Sequence, residues 1–93
     1  MFELDKDQYS TKEMLKTIAA WKGSYKELMQ NIADNFPYYG RCEFRTIDET
    51  WEVATSGWSG CEDIISALRD NTLFWMICWR LSKRGGYYEF ETI

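Results

Sequence analysis

The sequence contains no histidine, the side chain that enzymes use most often as a general base. A Ser-His-Asp or Cys-His site is therefore excluded, and the commonest metal ligand of proteins is missing as well. Carboxylates and thiols are the remaining groups that could do chemistry.

The three cysteines, Cys42, Cys61 and Cys78, lie 19 and 17 residues apart and form no Cys-x-x-Cys pattern. We predict no metal site from this spacing. Cys61 lies two residues after Ser59, the predicted N-cap of a helix. A helix N-terminus lowers a thiol pKa, whereas the two acidic residues that follow Cys61 raise it. We interpret Cys61 as a small residue that fills a first helical turn, with a reactive thiol as the alternative.

Glu89 and Glu91 are the carboxylate pair whose spacing comes closest to a catalytic one. As alternate residues of a predicted strand they share one face at about 7 Å, near the separation that glycosidases use. Arg80 is predicted on the neighbouring strand, opposite one of the two, and a chain of 93 residues leaves little room for a sugar cleft. We therefore interpret the pair as part of a solvated, ion-paired face.

Residues 57–60, Gly-Trp-Ser-Gly, lie between a predicted strand and a predicted helix, where free N–H groups can hold a phosphate. The segment lacks the Gly-Lys-Ser/Thr ending of a Walker motif and the third glycine of a dinucleotide fingerprint. A tight turn capped by Ser59 explains every residue except Trp58, which is either a core residue or an exposed anchor. No cofactor is predicted.

Composition indicates a single domain, residues 1–93, with a formal net charge of −4 and 17% aromatic residues. The acidic balance disfavours direct binding to nucleic acid or to an anionic membrane and allows docking on a basic protein surface. The alternative is that the charge only keeps a small protein soluble. The first five residues lack the pattern of a signal peptide and the thiols suit a reducing compartment, so we expect a cytoplasmic protein.

Three Ser-x-x-Glu capping boxes, at Ser10, Ser24 and Ser59, each precede an amphipathic run and predict three helices. Alternating patterns predict strands at residues 41–47, 50–55, 73–82 and 87–92. The order predicts an α+β fold, α-α-β-β-α-β-β, with a four-stranded antiparallel sheet covered on one face by helices. We expect the third strand to be central, because both of its faces are partly apolar.

Two strand pairings follow from these patterns. In the first hairpin, a turn at residues 48–49 places Phe44 opposite Val53 and Arg45 opposite Glu52, with the alternative that the turn is one or two residues wider. In the second hairpin, a turn at residues 84–85 or at residues 85–86 places Arg80 opposite Glu89 or Glu91, and either turn places Phe90 opposite an apolar residue of the third strand.

The second face of the predicted third strand carries Phe74, Met76 and Cys78, with Tyr87 beside them. If nothing covers these residues, they form an apolar patch with a charged rim, as protein interfaces do. The alternative is that residues 36–40 or the N-terminal segment cover them. The predicted partner-binding residues are Glu52, Trp58, Phe74, Met76, Arg80, Tyr87, Glu89 and Glu91.

The segments WEVATSGWSG at residues 51–60, FW at 74–75 and GGYYEF at 85–90 resemble small uncharacterised proteins encoded by phages and prophages. Such proteins are often inhibitors of host defence, including anti-CRISPR proteins, which occlude a nucleic-acid-binding surface or lock a nuclease. The resemblance implies a non-enzymatic protein that binds a host protein, such as a nucleic-acid-binding defence complex, in the cytoplasm of a bacterial host cell. Two alternatives are a homo-oligomeric interaction module, for instance a homodimer, and a small enzyme that uses carboxylates or Cys61.

Overall fold

The computed structural model describes residues 2–92 and contains one antiparallel sheet with strand order β1-β2-β4-β3. The predicted α+β class and four-stranded sheet are confirmed, with one additional helix. The elements are α1 (Lys12–Ala20), α2 (Tyr25–Asp34), β1 (Arg41–Arg45), β2 (Thr50–Ala54), α3 (Ser59–Asp70), α4 (Thr72–Cys78), β3 (Trp79–Lys83) and β4 (Tyr87–Glu91).

Of the three serines predicted to cap a helix, one does so and two do not. Ser24 caps α2, since its Oγ accepts the N–H of Glu27. The cap of α1 is Thr11 rather than Ser10, because the backbone of Ser10 forms a β-bridge with Leu4.

At α3 the residue before the helix is Trp58, which makes no side-chain cap. Ser59 is the first helical residue, and its hydroxyl hydrogen-bonds the Tyr9 hydroxyl at 2.7 Å. The hydroxyl of Thr55 accepts the N–H of Gly57, so Thr55 rather than Ser59 stabilises the turn that leads into the helix.

The first hairpin pairs Phe44 with Trp51 and Cys42 with Val53. This register lies two residues from the predicted one, because residues 46–49 form a wider turn than Asp-Glu alone. A shift of two residues keeps every side chain on its face. The apolar face is therefore the predicted one, with Trp51 and Val53 buried.

The prediction of one long central strand at residues 73–82 is wrong. Residues 72–78 form α4, and β3 is a short strand at the edge of the sheet, beyond β4. Phe74 and Cys78, four residues apart, both point into the core, while Met76 is exposed. The predicted patch of these three residues therefore does not exist, because a helical period separates side chains that a strand would place together.

The core lies between the sheet and the helices. Phe74 of α4 joins these layers, since its ring contacts Phe90 of β4 at 5.4 Å and Tyr25 of α2 at 5.3 Å. Trp75 contacts Phe90 as well, at 5.5 Å, so α4 packs on the Phe90 side of β4. The buried apolar residues include Met14, Ile18, Leu28, Met29, Ile32, Trp51, Val53, Ile64, Ile65, Leu68, Phe74, Cys78 and Phe90.

Asn71 connects three helix ends through one buried side-chain amide. It ends α3 and caps α4, where its Oδ1 accepts the N–H of Phe74 at 3.2 Å. Its Nδ2 donates to the carbonyl oxygens of Ile18 and Trp21, at 3.0 and 3.1 Å, at the end of α1. The residue is 6% exposed, so water cannot readily replace these bonds.

We expect Asn71→Ala to lower the free energy of unfolding by about 2–3 kcal/mol, because it leaves the buried N–H of Phe74 unpaired and removes one hydrogen bond from each of the carbonyl oxygens of Ile18 and Trp21. Urea denaturation followed by circular dichroism measures this loss. Asn35→Ala is the control, since the Asn35 amide donates only to Asn31 within its own helix. We expect the control to lose about 1 kcal/mol or less. Equal losses in the two variants would contradict the role of Asn71 as the junction.

Candidate functional site

The sheet face away from the helices carries a dense set of charges. The strand registers place Glu43, Glu52 and Glu89 side by side across β1, β2 and β4. Their neighbours along each strand, such as Trp51 and Phe90, point to the core instead. We name this surface the acidic sheet face. It consists of Glu43, Arg45, Asp48, Glu52, Arg80, Tyr87, Glu89 and Glu91.

Like charges directly opposite one another destabilise a sheet, so this row requires counter-charges. Arg45 supplies the first. Its guanidinium donates to Asp48 at 2.7 and 2.9 Å, pairs with Glu52 and lies 3.5 Å from Glu89. One side chain thus bridges the β1–β2 turn and the two central strands.

Arg80 supplies the second counter-charge from the edge strand. The register shifts between Trp79 and Leu81, which leaves Arg80 without an opposite residue in β4, so the predicted direct pairing with Glu89 or Glu91 is wrong. Its guanidinium nevertheless lies 3.6 Å from Glu89 and 3.8 Å from Glu91. The predicted charge neighbours are therefore present. Trp79 pairs with Phe90, as in the predicted register that places Arg80 opposite Glu89, and the register departs from that prediction only after Trp79.

Tyr87 lies between two carboxylates of the central strands. Its hydroxyl is 2.6 Å from Glu89 and 2.9 Å from Glu52, and its single proton can be donated to only one of them at a time. The hydrogen bond to Glu89 raises the pKa of Tyr87 to about 12. Tyr87 therefore stays neutral at physiological pH and acts as a donor.

Arg45 also sets the charge state of the turn. Its hydrogen bonds hold the pKa of Asp48 at about 2, below the ordinary range, and the same contact raises the pKa of Arg45. The pKa values of Asp48 and Tyr87 thus lie far from neutrality, which suits fixed charges better than proton transfer at pH 7.

Two carboxylates of this face are largely exposed although each has an ion-pair partner: Glu43 lies 3.6 Å from Arg41, and Glu91 lies 3.8 Å from Arg80. Glu89 is enclosed by its neighbours, with 8% of its side chain exposed, whereas the side chains of Glu43 and Glu91 are 60% and 49% exposed. A small cavity of about 180 Å³ adjoins Asp48, Glu49, Glu91 and Thr92. It lies below the range of about 300–1,000 Å³ for small-molecule sites.

The predicted partner-binding residues fall on separate surfaces. Glu52, Arg80, Tyr87, Glu89 and Glu91 come together on the acidic sheet face. Of the remaining three, Phe74 is a core residue, Met76 lies on the exposed side of α4, and Trp58 lies at the start of α3.

Sequence reasoning missed the part that Asp48 plays in the acidic sheet face. The available signal was a carboxylate three residues after Arg45, inside the turn. The observed four-residue turn brings the side chains of Arg45 and Asp48 together. The predicted two-residue turn did not indicate this contact.

Trp58 belongs to a row of aromatic rings at the surface. Its ring lies 4.8 Å from that of Tyr9 and 4.6 Å from that of Tyr39, which in turn contacts Tyr38. The ring also covers Gly60, where an added Cβ would lie only 1.8 Å from it. The half-buried Trp58 therefore fills the turn at residues 57–60, and its ring leaves room only for a glycine at position 60.

The thiols lie in environments that oppose ionisation. Burial, with a smaller contribution from Glu62, raises the pKa of Cys61 to about 11, and burial raises those of Cys42 and Cys78 to about 12 and about 11. Thiolate, the nucleophilic form, is thus a minor species at pH 7. Within residues 2–92, no group of three or more Cys, Asp or Glu side chains is arranged to hold a metal ion.

Comparisons of the chain with family models, with curated proteins and with solved structures found no match. Across residues 2–92, no helix combines the length and the apolar character needed to cross a bilayer.

The lowered pKa of Asp48 predicts that the protein loses stability in acid. The pKa of this carboxyl is about 2 in the folded protein and about 4 in an unfolded chain, so its pairing with Arg45 stabilises the fold above pH 4. That contribution is lost as the pH falls from about 4 to about 2. We expect Asp48→Asn to be less stable than the wild type at pH 7 and to lose less stability over this interval. Urea midpoints at several pH values measure the difference, and parallel curves for the two proteins would contradict the assignment.

Proposed function

We propose that the protein is a non-catalytic binding domain that docks its acidic sheet face on a basic surface of another protein. The observation that carries this proposal is the row of carboxylates across three strands, in which Arg41 pairs with Glu43 while Arg45, Arg80 and Tyr87 hold Glu52 and Glu89. Four carboxylates, Asp48, Glu52, Glu89 and Glu91, surround two guanidinium groups, so the centre of the face has a net negative charge.

Pre-organisation supports a binding role. The charged side chains already hold one another in place, so a partner need not immobilise them and association costs less conformational entropy. Lysine and arginine side chains form charge-assisted hydrogen bonds with carboxylates as they do with phosphates. A surface built to hold nucleic acid could therefore accept this face instead.

The resemblance of the sequence to phage proteins suggests a more specific version of this proposal. In that version, the partner is a nucleic-acid-binding defence complex in the cytoplasm of a bacterial host. The domain inhibits this complex by occluding its nucleic-acid site. The same charges disfavour binding of the domain itself to DNA or RNA. The cavity beside Asp48 and Glu91 would receive one basic side chain of the partner as an anchor.

A catalytic role for Glu89 and Glu91 is the weaker proposal. Glu89 is contacted by Arg45, Arg80 and Tyr87, so its carboxylate is engaged in structural pairing rather than left for a substrate. Cys61 is buried, and its raised pKa opposes nucleophilic attack.

The proposal is tested with the double variant Glu43→Gln/Glu91→Gln, which removes the two most exposed carboxylates of the acidic sheet face. The immobilised domain is used to capture proteins from bacterial lysate, and the affinity for the purified captured protein is measured at 50 and 200 mM salt. We expect a basic, nucleic-acid-binding partner, a salt-weakened complex, and an affinity at least about tenfold lower for the variant at low salt.

Asp63→Asn/Asp70→Asn is the matched control, because it removes the same charge from exposed positions on α3. We expect this control to bind as the wild type does and an added DNA duplex to compete with the domain. Equal weakening by both double variants would show a net-charge effect and contradict docking through this face. Binding that DNA leaves unchanged would contradict occlusion of a nucleic-acid site.

A further inference from the structure

Helix α4 presents an uncharged apolar ridge to solvent. Leu73, Met76 and Ile77 recur at helical spacing on its outer side, and Trp79 follows at the start of β3. These four side chains are between 43% and 76% exposed, with Met76 the most exposed. The sequence of α4, TLFWMIC, contains no ionisable side chain apart from Cys78, which is buried.

A groove lies directly beside this ridge. It has a volume of about 500 Å³ and is bounded by the end of α1, the start of α2 and the start of α4. Ala19, Ala20, Tyr25 and Leu73 form much of its wall, and Lys22 is its one lining residue with a positive charge. Leu73 belongs to both features, so ridge and groove share a border on the same surface.

We propose that this surface binds a second copy of the chain, so that the ridge of each protomer enters the groove of the other. A two-fold dimer requires one patch to be complementary to itself, and a ridge that borders a groove of suitable size meets this requirement. The groove is large enough for the side chains of Met76 and Ile77, and its small alanine side chains leave that space open.

The area of the surface agrees with a dimer of moderate affinity. The four ridge residues are 43% to 76% exposed, which corresponds to an apolar patch on the order of 500 Å², within the range of the largest patches that monomers carry. Two ridges buried against two grooves would exceed about 1,000 Å² in total, the threshold for a specific interface. A basic partner of the kind proposed for the acidic sheet face would find no charge to recognise on this ridge, whereas a second apolar ridge and groove would match it.

Lys22 makes the arrangement testable by charge reversal. In the dimer, the ridge residue Met76 of one protomer approaches the groove of the other, where Lys22 lies. Met76→Lys brings two ammonium groups together and should raise the dimer dissociation constant at least about tenfold. Adding Lys22→Glu to the same chain converts this repulsion into attraction and should recover much of the affinity. Both positions are exposed, so the fold should tolerate these changes.

The experiment measures molar mass by light scattering behind size-exclusion chromatography, from a few to several hundred micromolar protein. We expect the wild type to approach twice the monomer mass of 11.1 kDa, Met76→Lys to stay monomeric, and the double variant to dimerise again. Ile47→Lys is the control, since Ile47 is an exposed apolar residue of the β1–β2 turn, away from the ridge. It should dimerise as the wild type does.

Three results would overturn the proposal. A wild-type monomer throughout the concentration range would exclude the dimer, and a dimer that persists in Met76→Lys would place the contact elsewhere. A double variant that remains as monomeric as Met76→Lys would exclude entry of the ridge into the groove. Circular dichroism of each variant distinguishes these results from loss of fold.

Discussion

The side-chain amide of Asn71 is the contact on which the arrangement of the second half of the chain depends. By accepting the N–H of Phe74 it starts α4 immediately after α3, and by donating to Ile18 and Trp21 it fixes that junction against the end of α1. Because residues 72–78 are then helical, Phe74 and Cys78 enter the core and Met76 faces solvent. The apolar ridge and the shortness of β3 both follow from this one helix start.

A second constraint acts on the opposite side of the sheet. Three glutamates in register across β1, β2 and β4 would repel one another, and Glu89 is almost fully enclosed. Burial of a carboxylate is tolerated only where opposite charges or donors surround it. Arg45, the last paired residue of β1, and Arg80, at an irregular position in the edge strand, supply the positive charges that enclose Glu89.

Much of this fold could be predicted from the sequence because the signals are local. The amphipathic runs after residues 10, 24 and 59 identify α1, α2 and α3, and the alternation in β1 and β2 identifies their buried faces. The error of two residues in the first hairpin register left those faces unchanged, since side chains alternate with a period of two.

The missed helix shows where local signals fail. The apolar run at residues 73–79 reads equally well as a buried strand or as a helix, since nearly every residue is apolar under either period. Asn71 decides between the two, but its amide partners Ile18 and Trp21 are 53 and 50 residues away in sequence. The candidate site was partly predictable for a different reason: its glutamates and Arg80 were recognised as a charged face, whereas the contribution of Asp48 depended on a turn whose width the pattern does not specify.

The two proposed surfaces are independent in position as well as in chemistry. The ridge belongs to α4, which packs on the Phe90 side of β4, while Glu89 and Glu91 point to the other side of the same strand. A dimer formed through the ridges would therefore leave both acidic sheet faces accessible. Two such faces on one particle can engage two basic sites at once, and the second contact then forms at a high effective concentration. Dimerisation would thus strengthen binding by a weakly attractive charged face without any new contact to the partner.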